Sequence, residues 1–162
     1  MHRRLFSKLA IMVLALGSVL VGANPATAAV RDFAGTASAT FTFGSGPTCA
    51  GNGQIGSLSG MLARANRPTW SLTVAKLCVD AIGHQASFSG EASITTARHQ
   101  VLYATLTGAW QAVGTATSTF SMDVHGGTGE FAHATGSISA SGSLDFSTGR
   151  FTGSMTGAIA TS

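Results

Sequence analysis

The chain has 162 residues, 44% hydrophobic and only 9% charged, with 21 glycines, a balance that excludes a polyelectrolyte-like disordered chain and suits one globular domain. Nine Lys and Arg against six Asp and Glu give a formal charge of +3. Three of those cations (Arg3, Arg4, Lys8) lie in an N-terminal segment expected to be removed, leaving six of each sign scattered singly along the chain, a distribution that does not support nucleic-acid binding.

That segment is the first element. Met1–Lys8 is basic, Leu9–Gly22 is apolar but short of the roughly 20 residues of a membrane span, and Ala26-Thr27-Ala28 forms an A-x-A cleavage signal. Together they predict a secretory signal peptide over residues 1–28, a mature domain over 29–162, and a secreted protein with no membrane association after cleavage. Export keeps disulfides, so Cys49 and Cys78 are expected to be joined. On the chain-entropy model such a bridge contributes about 3–4 kcal/mol. Two lone cysteines without a CxxC spacing or a nearby His pair are poor metal ligands, and no metal or cofactor is expected.

The mature chain reads as strands. Phe33–Phe43 alternates apolar and Ser/Thr residues with the period of two of a half-buried strand. A Gly-rich loop follows to Gly53, and a second strand runs from Gln54 to Ala63. Gly51-Asn52-Gly53-Gln54-Ile55-Gly56 spells G-x-G-x-x-G, but that pattern binds dinucleotides only where a helix follows, and none is predicted. The third strand shows Trp70, Leu72 and Val74 in phase, then loses it through Ala75–Val79, which a bulge or burial of both faces explains. Lys76 continues the phase of Trp70, Leu72 and Val74 and points into the interior if register is kept, outward if a bulge intervenes.

Gln85–Thr96, Val101–Val113 and Thr115–His125 make three further strands, with Phe88, Leu106, Trp110, Phe120 and Met122 on the inward phase. Two more follow in a hairpin: Gly136–Leu144 and Phe151–Ile159, joined by Asp145–Gly149. Helical spacing is not sustained anywhere in the mature chain. Eight short strands with tight turns predict an all-β domain, a single closed eight-stranded antiparallel barrel. A two-sheet sandwich would need crossovers that these loops are too short to make. Gly60, Gly90, Gly108, Gly142 and Gly153 inside strands fit the sharp coiling of a small barrel.

Asp123, His125, Glu130 and His133 fall within eleven residues, but Asp123 and His125 are out of phase with Phe120, Met122 and Val124, so a solvated edge is the simpler reading than an acid–base or metal site. No nucleophile elbow is present. Gly126-Gly127-Thr128-Gly129-Glu130-Phe131-Ala132-His133-Ala134-Thr135-Gly136 resembles the GGTG-x-F-x-x-A-x-G signature of allene oxide cyclase-like and dirigent-like barrels, notably secreted bacterial relatives. The resemblance covers the last quarter of the chain. It implies a calycin-like barrel, often oligomeric, whose lumen holds an apolar molecule and steers its cyclisation or coupling by shape; it carries no catalytic residue across. In that motif Gly127 and Gly129 suit positive φ, and Phe131 suits a plug at one barrel end.

Two functions follow as expectations. One is a barrel that takes a small apolar ligand against Trp70, Leu72, Lys76, Phe88, Leu106, Trp110, Phe120 and Met122. The other is an extracellular or cell-surface module, filled by its own side chains, that contacts a partner through its outer Ser/Thr face or loops. On the first, Ala140→Leu or Gly142→Leu is expected to block the lumen while the fold persists.

Overall fold

A computed structural model describes residues 28–43, 54–82, 85–111 and 116–162. Most of the signal segment, the loop carrying Cys49, His84 and the end of the expected fifth strand at Val113 lie outside the described residues. Eight strands are present: β1 (Ala29–Phe43), β2 (Gln54–Arg64), β3 (Trp70–Ile82), β4 (Gln85–Thr95), β5 (Val101–Gln111), β6 (Ala116–Gly127), β7 (Thr135–Asp145) and β8 (Arg150–Thr161). A single 3-10 turn, Gly129–Phe131, separates β6 from β7. Each strand pairs antiparallel with the next, and β1 pairs with β8 from Ala29↔Thr161 to Thr40↔Arg150, which closes the barrel. Closure leaves no open sheet edge. Residues 51–53 of the G-x-G-x-x-G stretch lie outside the described residues, and Gln54 to Gly56 open a strand rather than a helix.

The inward phase is as the alternation predicts, with three local departures. Between β3 and both of its neighbours the register shifts, because Gly56↔Leu77 gives way to Leu58↔Val74 on one side and Leu77↔Gly90 to Val74↔Ala92 on the other. One additional β3 residue is accommodated against both partners, a bulge that reverses the phase. Leu77 and Val79 are consequently buried, and Lys76 is exposed on the outer wall. Lys76 therefore does not belong among the lumen residues.

The second departure is in β6. Tyr103 pairs with Gly126 and Ala104 with Val124, so the bulge falls on His125 and Gly126, where φ at Gly126 is 150°. The third concerns the motif glycines: φ is positive at Gly129 (58°) but not at Gly127. A Cβ on Gly127 would instead sit 2.3 Å from the Val101 carbonyl oxygen. Gly127 thus serves close approach of two backbones rather than an unusual dihedral.

The core is one continuous cluster drawn from all eight strands. Its rings meet across the barrel. Phe41 of β1 lies 5.4 Å from Phe88 of β4 and 5.8 Å from Trp110 of β5, edge to face, and Phe88 stacks on Trp110 at 5.2 Å. Because β1 and β5 are opposite each other in an eight-membered ring of strands, the Phe41–Trp110 contact spans the barrel's width. Nearer the other end Phe33 meets Trp70 at 4.9 Å and Trp70 meets Phe131 at 5.9 Å. Such aromatic pairs contribute about 0.5–1.5 kcal/mol each beyond burial.

Candidate functional site: an arginine-lined barrel mouth

Of the expected lumen residues, Trp70, Leu72, Phe88, Leu106, Trp110, Phe120 and Met122 all face inward, and none is more than 7% exposed. They pack on one another and on Phe33, Phe41 and Phe151. The inward glycines add no room. A Cβ on Gly142 would lie 2.1 Å from the Thr152 carbonyl oxygen and 2.5 Å from the Gly153 Cα, and one on Gly153 2.2 Å from the Ser141 carbonyl oxygen. These glycines let neighbouring strands coil tightly, so Gly142→Leu forces backbone apart rather than blocking a void.

A cleft lies outside the core, at the end where the β2–β3 and β4–β5 turns and the 3-10 turn gather round the start of β1. It has a volume of about 1060 Å³ and is lined by Val30, Arg31, Asp32, residues 64–68, Trp70, residues 96–98, Glu130 and Phe131. Trp70 and Phe131, buried to 4% and 0% exposure, form its floor over the core. Phe131 is carried into that position by its 3-10 turn, where its N–H donates to the Thr128 carbonyl at 3.1 Å. The Thr128 hydroxyl accepts from the Val101 N–H at 2.9 Å, while the Thr128 N–H donates to the Val101 carbonyl at 2.8 Å. In the facing β4–β5 turn the Thr96 N–H donates to the Gln100 carbonyl at 2.8 Å, and His99 adopts φ 59°.

Four arginines line this cleft, Arg31, Arg64, Arg67 and Arg98, with two acidic residues, Asp32 and Glu130. Arg31 is committed: it pairs with Glu130 and lies 5.3 Å from the centre of the Phe131 ring. Arg64 lies over two rings, its Cζ 4.0 Å from the Trp70 centroid and 4.7 Å from that of Phe33. Its Nε is buried and has no hydrogen-bond partner among the described residues. Burial first, then the charges of Arg67 and Arg31, hold the Arg64 pKa below the ordinary arginine value. The group remains a cation at neutral pH, so the lowered pKa reports unrelieved charge repulsion and desolvation. Neither Arg67 nor Arg98 has a carboxylate partner among the described residues.

Arg31 and Arg98, distant in sequence from the neighbouring pair Arg64 and Arg67, are thus brought to the same cleft, so these cations, scattered along the chain, are gathered in space. Asp123, His125, Glu130 and His133 do not assemble into a site, in agreement with the solvated edge that their phase predicts. Glu130 belongs to the mouth, whereas Asp123 and His125 lie on the outer wall, where His125 Nε2 is 3.4 Å from Glu91 of β4. His133 is exposed. Among the described residues no three His, Cys, Asp or Glu side chains come together as metal ligands.

Cys78 carries no free thiol. It lies toward the barrel end opposite the mouth, the end at which β1 leads into the loop containing Cys49, and Cys49 lies outside the described residues. Elsewhere a shallow groove of about 560 Å³ crosses the outer faces of β5–β8, bordered by Thr107, Ser121, Ser139, Ser141 and Thr156. Comparison of the chain with protein-family models, with curated proteins and with solved structures finds no match.

Proposed function

We propose that this is an exported β-barrel that accommodates a small molecule at its mouth, with the side-chain-filled barrel acting as the rigid frame. The observation that carries this reading is the cleft of about 1060 Å³ floored by Trp70 and Phe131. Ligand sites are concave and set polar groups around apolar surface; the mouth is concave and sets charged residues around an apolar rim that includes Val30 and Pro68. A ligand held between two turns anchored on closed strands needs little reorganisation of the frame. The signal-like segment Met1–Ala28 and the cysteine pair support export. The reading includes no catalytic step, and the GGTG-x-F likeness supports the barrel rather than a reaction.

A survey of small fragments by amide chemical-shift perturbation on the mature protein tests it. Expected are shifts grouped at 64–70, 96–100 and 128–132. Shifts confined to inward positions of β4–β6 would instead favour ligand entry into the lumen. Shifts confined to the hydroxyl-lined groove of β5–β8 would favour the other reading, a structural module contacting a partner through its Ser/Thr face, for which the cross-barrel contact of Phe41 with Trp110 is the supporting observation.

A further inference from the structure

Resting on the mouth as the binding site, we infer that its ligand is a small amphipathic anion: an aromatic or apolar body carrying one carboxylate, sulfate or phosphate group. Three observations bear on the charge. Four arginines line the cleft with two acidic residues, and the Arg31–Glu130 pair consumes one of each. The buried Nε of Arg64 has no acceptor among the described residues, and an N–H donor shut away from water is costly until an acceptor reaches it. Arg67 and Arg98 approach from two different turns, on opposite sides of Trp70 in the sequence, and neither meets a carboxylate among the described residues.

The apolar rim of the cleft sets the body of the ligand. The Arg64 guanidinium lies over the Trp70 and Phe33 rings. A guanidinium carries five N–H donors in a fork that matches a planar or tetrahedral oxyanion. The apolar surface open to a ligand is at the rim, where Val30 is 66% exposed and Ala65, Pro68 and Ala97 are exposed, while the Trp70 and Phe131 rings beneath are buried. An inorganic anion would use the arginines and leave this apolar surface wet. A neutral apolar molecule would cover the rim and leave the cationic charge uncompensated. An amphipathic anion satisfies both.

The test uses four probes with one body: 2-naphthoate, 2-naphthyl sulfate, 2-naphthyl phosphate and the neutral 2-naphthamide, titrated into the mature protein at constant ionic strength. At least one anion is expected to bind about tenfold or more tighter than the amide, the scale of one charge-assisted hydrogen bond. The ranking of the three anions identifies the head group. Arg67→Gln and Arg98→Gln are each expected to weaken the preferred anion by about tenfold. Neither should lower the melting temperature, and Arg67→Gln should hold or raise it, because Arg67 disfavours the charge on Arg64.

That opposition of signs separates a ligand-binding role from a structural one. If 2-naphthamide binds as tightly as every anion, or if both variants bind the anion like the wild type, the anion inference is overturned while the mouth remains a binding site. Binding of none of the four probes overturns the inference too. The reading of the mouth falls with it only if the fragment survey also leaves residues 64–70 and 96–100 unperturbed.

Discussion

Gly142→Ala gives opposite signs on two lines of reasoning. On intrinsic grounds alanine should help, since Gly loses more backbone freedom on folding, and replacing it at an unstrained position stabilises by about 0.4–1 kcal/mol. Gly142 faces Gly153 across the β7–β8 ladder and Ser118 across β6–β7. The added Cβ would stand 2.1 Å from the Thr152 carbonyl oxygen, 2.5 Å from the Gly153 Cα and 2.8 Å from the Thr152 carbonyl carbon. All three are backbone atoms, so no rotamer change relieves the overlap, and β8 must retreat by about 1 Å or more to restore van der Waals distance. Overpacking of this kind costs about 1–3 kcal/mol, and a backbone collision belongs at the upper end. Set against the entropy gain, the net is a loss of about 2 kcal/mol, or roughly 6–8 °C in melting temperature for a domain of this size. Urea unfolding of the mature protein should show a lower midpoint with unchanged slope, and Ser141→Ala on the exposed face should stay within about 0.5 kcal/mol of wild type. A Gly142→Ala protein as stable as wild type or more so would refute the close-approach account.

Three other outcomes are expected. Phe131→Ala removes a fully buried ring from the mouth floor and should cost about 3–5 kcal/mol by calorimetry; a loss under about 1 kcal/mol would mean that the turn closes over the gap. Asp145 accepts from the Ser147 and Thr148 hydroxyls at 2.7 and 2.9 Å and from the Ser147 N–H at 2.9 Å, and these bonds, the Ser147 hydroxyl first, hold its pKa below the ordinary aspartate value. A depressed carboxylate stabilises above its unfolded pKa of about 3.9 and loses that contribution as pH falls through the folded value. Asp145→Asn should therefore be less stable than wild type at neutral pH and converge with it in acid, and an unchanged gap across that range would count against the turn network. Thiol titration of the unfolded, unreduced mature protein should find no free thiol, and two would exclude a Cys49–Cys78 bridge.

The barrel is legible in the sequence because its physics is local. The alternation over Gln85–Thr95, with Ala86, Phe88, Ala92 and Ile94 inward, needs no partner to be recognised, and short turns leave few ways to connect eight such strands. The β3 bulge is legible only as lost phase at Ala75–Val79, because which of two residues turns outward depends on pairing with both β2 and β4. Lys76 is ambiguous in sequence for that reason. Whether the small inward residues enclose a void is also out of reach, since the answer lies in distances between strands.

The mouth escapes the sequence for a different reason: charge is counted along the chain, whereas an up-and-down barrel returns to the same end once every two strands. Arg31, Arg64, Arg98 and Glu130 recur about 33 residues apart, close to one lap of strand, turn, strand and turn. Each lap brings the chain back to the end where β1 begins, so residues that look isolated in sequence become neighbours in a ring. Arg67 joins them through its place in the β2–β3 turn. The apolar period of two states which side of the wall a residue occupies; the lap length states which end of the barrel it occupies. Applied together, they put Trp70 inside and Arg64 above it, and the 4.0 Å approach of that guanidinium to the indole ring is where the two periods meet.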